Sequence, residues 1–126
     1  MITIIGNPIP KERPRHNAKT GITYTPAKTK NAERDIGIAY INQGGTLYSG
    51  PVTVELKFYL RKPKKPLHEE PLKRPDMDNL IKTVLDGLNG IAYEDDKQII
   101  KISAEKHWAD NEPRTEILVY EYKNNI

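Results

Sequence analysis

The chain has 126 residues and no cysteine, which excludes a disulfide framework, a thiolate metal site and a thiol nucleophile. This length predicts a single domain, 1–126, with an ordinary hydrophobic core. No apolar run approaches the ~18 residues of a membrane span, and the N-terminal segment lacks the order of a signal peptide. We therefore expect a cytoplasmic protein that does not bind a membrane.

The formal net charge of +3 is divided unevenly along the chain. Residues 1–74 hold 14 Lys and Arg against 6 Asp and Glu, whereas residues 75–126 hold 6 against 11. A basic surface attracts polyanions such as nucleic acid. Acidic groups repel phosphate, and a metal site is one reason for a polyanion-binding protein to have them. The alternative is that both blocks are solvated faces, and composition alone favours that alternative.

The N-terminal part of the chain predicts a strand, a hairpin and a helix. Residues 2–5 form a short apolar run. In the Pro-rich basic stretch that follows, the turn-like sequence NAKTG predicts a small hairpin. Apolar residues then recur at helical spacing until the glycine pair at 44–45. Thr25 is the predicted N-cap of this helix, with Pro26 as its first residue.

The C-terminal part predicts strands and one helix. Apolar and polar residues alternate through 52–60, the pattern of a strand with one buried face. A loop is predicted at 61–75, because this stretch is rich in proline, lysine and arginine. An apolar stripe predicts a helix at 76–89, and strands are predicted at 98–108 and 115–122. This order predicts one small α+β domain with a mixed β-sheet and two main helices.

Two aspartates, Asp76 and Asp78, lie one residue apart where the second helix is predicted to begin. A helix cap and the helix dipole explain one such aspartate well and two adequately. They do not explain a further acidic cluster at 94–96, just before the next strand. A strand that returns antiparallel to the helix places this cluster at the far end of the helix, unless the chain doubles back. The sequence leaves both arrangements open.

If the two acidic groups converge, their carboxylates repel one another and each pKa rises. A hard divalent cation such as Mg²⁺ relieves that repulsion, because it takes oxygen ligands from carboxylates, water and phosphate. Lys82 follows Asp78 by four residues on the same helix flank, where it forms either an ordinary ion pair or a contact with a phosphate. Asp86 shares that flank, and we expect a structural or electrostatic role for it.

The stretch RPDMDNLIKTVLDGLNGIAYEDDKQI, residues 74–99, resembles the central motif of the RusA family of Holliday-junction resolvases. It combines D-x-D-N-x-x-K, a helix that ends in a D-x-L pattern, and a D-D-x-Q-[IV] turn. The sequences PIPKERPR and YTPAKTKNAE are similar to the family's basic N-terminal region and to the start of its first helix. D-x-D alone is a weak signal, whereas the joint pattern at fixed spacing is specific.

The resemblance implies a homodimeric, RusA-like α+β endonuclease that cuts four-way DNA junctions with Mg²⁺ or Mn²⁺ during recombination and repair, in a family frequent in phages and prophages. By motif position, Asp76, Asp78 and Asp96 match the essential acidic residues, and Lys82 matches the catalytic lysine. Asp95 matches a neighbouring acidic position, so the implied metal ligands are these four aspartates. The resemblance also implies that the fold brings the two acidic groups together, either within one chain or with help from the dimer arrangement.

These roles lead us to expect metal-assisted hydrolysis that leaves 5′-phosphate and 3′-hydroxyl ends, with Lys82 stabilising the phosphate or positioning the water. Pro75 precedes the first aspartate, so no aromatic side chain stands there to wedge a junction open. Two alternatives remain: a non-catalytic DNA-binding phage protein and a nuclease for other branched DNA. The candidates for contacts with the DNA backbone are Arg13, Arg15, Lys62, Lys64, Lys65, Lys73 and Arg74.

Overall fold

The computed structural model describes residues 1–124 of the chain. All the predicted strands and both predicted helices are present, with ends close to those expected, and the α+β class is confirmed. The elements are, in chain order, β1 (Ile2–Ile5), β2 (Arg15–Asn17), β3 (Ile22–Tyr24), α1 (Ala27–Asn42), β4 (Val52–Leu60), α2 (Met77–Leu88), a 3₁₀ turn (Asp96–Gln98), β5 (Ile99–Trp108) and β6 (Arg114–Glu121).

Four of the strands form one sheet in the order β1-β6-β4-β5, and β2 pairs with β3 in a separate hairpin. β4 and β5 are parallel, whereas β6 is antiparallel to both β1 and β4. A parallel pair needs a long crossover connection, and α2 lies within it. The predicted mixed sheet is therefore confirmed. Because α2 returns the chain to the start of β5, its last turn lies at the end of the sheet where β4 and β5 begin.

The hydrophobic core lies on the face of this sheet that the helices cover. Alternate residues of β4 point toward the helices, and Leu56 and Phe58 are at most 2% exposed. Ile117 of β6 lies opposite Leu56, and Leu80 and Leu88 of α2 pack into the same core. Burial of one such side chain contributes roughly 1.5–3 kcal/mol. The core therefore fixes the position of α2 on the sheet.

The two helices lie side by side and run in the same direction. At their beginnings, the N–H of Lys11 donates to the carbonyl of Asn79 in α2, and the next N–H donates to the hydroxyl of Thr29 in α1. Further along, Gly87 of α2 packs against Glu33 of α1. A Cβ atom at Gly87 would lie only 2.8 Å from the Glu33 carbonyl oxygen. A glycine is needed for this close approach. The contacts of residues 11 and 12 place the beginnings of both helices at the same end of the fold.

The beginning of α1 differs from the prediction. Pro26 has a ψ of 144°, which is extended rather than helical, so it occupies the N-cap position and the helix begins at Ala27. The prediction of Thr25 as N-cap and Pro26 as first helical residue was therefore wrong. Gly44, with φ of +82°, follows the end of α1 as expected. None of the helices within residues 1–124 is long and apolar enough to cross a membrane.

Candidate active site

The beginning of α2 carries two exposed aspartates, Asp76 and Asp78, which we call the α2 entrance. Asp76 occupies the N-cap position, but its carboxylate makes no capping hydrogen bond. Asp78 accepts a hydrogen bond from the N–H of Asn79 at 3.0 Å. Within residues 1–124, neither aspartate forms an ion pair. Capping does not account for Asp76, and both carboxylates are available to a cation.

Lys82 and Asp86 follow Asp78 along the same flank of α2. Lys82 is exposed, and the part of the chain that the structure describes contains no ion pair between Lys82 and Asp78. Asp86 lies 3.1 Å from the Nζ of Lys11, which also contacts Glu33. Burial lowers the pKa of Lys11, but the hydrogen bonds and charges of Glu33 and Asp86 outweigh it and raise the pKa above its usual value. Asp86 thus has a structural partner, whereas Lys82 faces solvent.

The second acidic group, residues 94–96, forms a turn fixed by hydrogen bonds, which we call the acidic turn. Asp95 caps the 3₁₀ turn by accepting a hydrogen bond from the N–H of Lys97 at 2.9 Å. The Oε1 of Gln98 accepts from two backbone N–H groups of the acidic turn, at 2.8 and 3.0 Å. The Nε2 of Gln98 donates to two carbonyls in the loop before β4, at 2.9 and 2.8 Å. Gln98 therefore fixes the acidic turn to the rest of the fold.

The carboxyl groups of Asp95 and Asp96 are neighbours, and their pKa values move in opposite directions. The N–H of Lys97 holds the pKa of Asp95 below its usual value, and the interaction with the carboxyl group of Asp96 adds to this. The neighbouring carboxyl group of Asp95 raises the pKa of Asp96, and a loss of hydration and the negative charge of Asp86 add to this rise. A bound cation would relieve the repulsion between such close carboxylates.

The α2 entrance and the acidic turn lie at opposite ends of α2. The helix has 12 residues, which makes it about 18 Å long. Asp96 lies close enough to Asp86, in the last turn, for that charge to raise its pKa. No group of three or more His, Cys, Asp or Glu side chains within residues 1–124 could hold a metal ion. The sequence leaves open whether the two acidic groups meet within one chain. In the structure the crossover helix separates the predicted ligands, with Asp76 and Asp78 before α2 and in its first turn, and Asp95 and Asp96 beyond its last turn.

A cleft of about 660 Å³ lies beside Asp76, between the N-terminal segment and the first turns of the two helices. We call it the basic cleft, since its charged lining consists of Asp76 and four cations: Lys11, Arg13, Lys28 and Arg74. Lys11 is paired with carboxylates, whereas the other three form no ion pair within residues 1–124. The cleft thus places surplus positive charge next to a carboxylate, which suits a phosphate group.

The predicted DNA-binding residues occupy three places: the loop before α2, the β2–β3 hairpin and the basic cleft. Residues 61–75, the basic loop, connect β4 to α2, and the Nζ of Lys73 lies 5.4 Å from the centre of the Trp108 ring. Arg15 lies on the hairpin and is 3.5 Å from Glu12. The remaining candidates are exposed: Lys62, Lys64 and Lys65 in the basic loop, and Arg13 and Arg74 at the basic cleft.

Three residues that line or fix the site were not predicted as site residues from the sequence: Lys11, Lys28 and Gln98. For Gln98 a signal existed, because an N-cap residue followed three positions later by Gln is the spacing of a capping box. Lys11 and Lys28 offered no comparable signal. Their positions depend on how the N-terminal segment packs against the beginnings of α1 and α2, which no local pattern encodes.

A family model described as endodeoxyribonuclease RusA matches residues 6–120, a span that includes the α2 entrance, the basic cleft and the acidic turn. The chain is also similar to the "Uncharacterized protein YqaN" of Bacillus subtilis (strain 168), at 30% identity over 94% of each chain. The family match and the order of the carboxylates and cations along the chain agree with the resemblance seen in the motif. The chain therefore belongs to the RusA family of endodeoxyribonucleases.

Proposed function

We propose that this protein is a Holliday-junction resolvase, which cuts four-way DNA junctions symmetrically with Mg²⁺ or Mn²⁺ as cofactor. The observation that carries the proposal is the carboxylate of Asp76, which makes no capping hydrogen bond and lies in a cleft whose other charged groups are four cations. A purely structural aspartate there would be expected to pair with a neighbouring cation. Asp76 forms no such pair within residues 1–124, so its surroundings suit a metal ion and a phosphate together.

The chemistry of the predicted ligands fits a hard divalent cation. Asp76, Asp78, Asp95 and Asp96 are all exposed carboxylates. Mg²⁺ is usually held by one or two carboxylates, with water and substrate phosphate as its other ligands. The α2 entrance would hold such an ion, and the acidic turn would supply further ligands. A bound ion supplies an activated water and stabilises charge on the phosphoryl group.

A second copy of the chain would complete the site. Because the two acidic groups lie at opposite ends of α2, a helix about 18 Å long, the acidic turn of another copy would have to approach the α2 entrance for both groups to act on one phosphate. A two-fold arrangement creates two identical composite sites. A symmetric junction requires two cuts, one on each of two matching strands. We therefore propose a homodimer.

The remaining charged residues of the chain would hold and position the DNA. Lys82 lies on the exposed flank between the two acidic groups and would bind the scissile phosphate or orient the attacking water. The basic cleft and the basic loop would contact the DNA backbone, which positions the junction without reading its sequence. The products would carry 5′-phosphate and 3′-hydroxyl ends. This reaction would take place in the cytoplasm and would serve the recombination and repair of chromosomal or prophage DNA.

Cleavage of defined DNA structures tests the proposal. The protein is incubated with labelled four-way, three-way and linear DNA in Mg²⁺ or Mn²⁺, and every cut is mapped. We expect paired, symmetric nicks in the four-way junction and none with a chelator. Cuts mainly in three-way DNA would favour a nuclease for other branched DNA. Junction binding without any cleavage would favour a non-catalytic DNA-binding protein.

A further inference from the structure

Lys106 lies on the helix-facing side of β5, opposite buried Phe58, and is half-buried. Its Nζ donates hydrogen bonds to the backbone carbonyl oxygens of Lys73 at 2.9 Å and Pro75 at 3.1 Å. It forms no ion pair with a carboxylate of residues 1–124. Both carbonyls belong to the end of the basic loop, and Asp76 follows directly. Lys106 therefore holds the backbone that leads into the α2 entrance.

Trp108, two residues later on the same side of β5, holds the basic loop further upstream. Its Nε1 donates to the carbonyl of His68 at 3.1 Å, and its ring lies beneath the ammonium of Lys73. Pro71, between these contacts, is fully buried. Residues 68–75 are thus attached to β5 at both ends, although their sequence is typical of an irregular loop.

Both hydrogen-bond acceptors of Lys106 are neutral backbone carbonyls, so the ammonium group keeps its positive charge. A carboxylate partner would also anchor this side chain, but it would cancel the charge beside the basic cleft. Carbonyl oxygens accept the protons of the ammonium group without neutralising it. Hydrogen bonds from a charged donor are stronger than those from a neutral donor, which makes them an effective restraint on a loop that has no regular backbone pairing of its own.

We propose that Lys106 is a positioning residue for DNA cleavage. It fixes the end of the basic loop, which leads directly into the α2 entrance, to β5. The cations that hold the DNA backbone and the carboxylates that hold the metal would thereby keep one mutual arrangement. This inference rests on the proposed function. Its physical basis is the sensitivity of catalysis to geometry, since a displacement of about 1 Å can cost on the order of 100-fold in rate.

Lys106→Met tests this proposal, because methionine has a similar length but cannot donate a hydrogen bond. Lys101→Met is the matched control, since Lys101 is exposed on the opposite face of the same strand. The first measurement is amide hydrogen exchange of the DNA-free protein. We expect exchange in peptides that cover 68–78 to become about 10-fold faster in Lys106→Met, as the loss of a charge-assisted hydrogen bond implies. Lys101→Met should exchange like the wild type.

The second measurement is cleavage of a four-way junction. In Lys106→Met, we expect kcat to fall about 10- to 100-fold, as is usual for residues that support metal ligands, while KM stays within about threefold. The Mg²⁺ concentration for half-maximal activity should rise. Lys106→Arg, which keeps the charge and the donors, should restore most of the rate. If Lys106→Met does not fold, Trp108→Phe removes the hydrogen bond to His68, keeps an aromatic ring beneath Lys73 and should show smaller changes of the same kind.

The outcomes separate this inference from the proposed function. A wild-type protein that cuts junctions, together with a Lys106→Met protein of unchanged kcat, would overturn the positioning role alone. Unchanged exchange over 68–78 would overturn it as well, because the loop would not depend on Lys106. A wild-type protein that cuts no DNA would contradict the proposed function, and the positioning role would fall with it.

Discussion

The two ends of α2 present their carboxylates in opposite ways. Asp76 and Asp78 have few partners within the chain and lie beside a cleft of cations. Asp95 caps the 3₁₀ turn, and Gln98 fixes the turn that carries Asp95 and Asp96. Carboxylates with few partners are suited to meet a ligand, whereas a fixed pair is suited to be presented to another surface. Under the proposed function, each end would supply a different part of one site, and α2 would be the spacer between them.

The largest effect is expected from a change at the α2 entrance. Asp78→Asn should lower cleavage at least about 1,000-fold, because a lost metal ligand removes several kcal/mol of transition-state stabilisation. Junction binding should be retained or strengthened, since one negative charge near phosphate is removed. Single-turnover cleavage in Mg²⁺ and gel-shift titration measure the two properties. Asp35→Asn, at an exposed carboxylate of α1, is the control. Cleavage by Asp78→Asn at the wild-type rate would remove this end from the metal assignment.

A smaller effect is expected when the acidic turn loses the hydrogen bonds that Gln98 makes. Gln98→Ala leaves all four aspartates in the sequence but removes four hydrogen bonds to the backbone. We expect cleavage to fall about 10- to 100-fold and the free energy of unfolding to fall by about 1–3 kcal/mol. DNA binding should not weaken. Single-turnover assays, urea denaturation and gel shifts measure these changes.

Gln43→Ala is the matched control for Gln98→Ala. The Gln43 side chain also bonds the backbone in both directions, to the N–H and the carbonyl of Thr3 at 2.9 and 2.8 Å, but it lies away from both acidic groups. The Gln43→Ala protein should lose stability and keep the wild-type cleavage rate. If both glutamine variants cut DNA equally well, the rigidity of the acidic turn is not needed for catalysis.

The smallest effect is expected in the basic cleft. Lys28→Gln should weaken junction binding several-fold and reduce the slope of log affinity against log salt by about 1, as the loss of one phosphate contact implies. Lys30→Gln is the control, because Lys30 is another exposed lysine of α1 that does not line the cleft. Fluorescence anisotropy over a series of salt concentrations measures the slope. Equal slopes for the two variants would place the DNA outside the cleft.

Most of the fold was readable from the sequence because its elements are strongly periodic. Strict alternation in 52–60 predicts β4, and the apolar stripe after Asp76 predicts α2 almost to the residue. The start of α1 was misplaced by one residue because Thr25 and Pro26 match the usual cap pattern. In the structure the extended ψ of Pro26 makes it the N-cap residue. This backbone angle depends on how the preceding segment packs.

The site could be predicted only as a set of residues and not as an arrangement. The motif identifies Asp76, Asp78, Lys82, Asp95 and Asp96, but it contains no information about the distances between them. Those distances follow from the parallel pairing of β4 and β5, which places the crossover helix between the two acidic groups. The contacts of a half-buried lysine with two carbonyls likewise leave no pattern in the sequence.

We propose that both ends of α2 act in one site built from two copies of the chain, and the mixing of two inactive variants tests this directly. Asp78→Asn and Asp96→Asn proteins, each inactive alone, are mixed and allowed to exchange subunits. In a mixed dimer, one composite site carries both substitutions and the other carries none. The mixture should therefore nick four-way junctions at about a quarter of the wild-type rate, since half of the dimers are mixed and each has one intact site. A mixture as inactive as its two components would contradict the composite site.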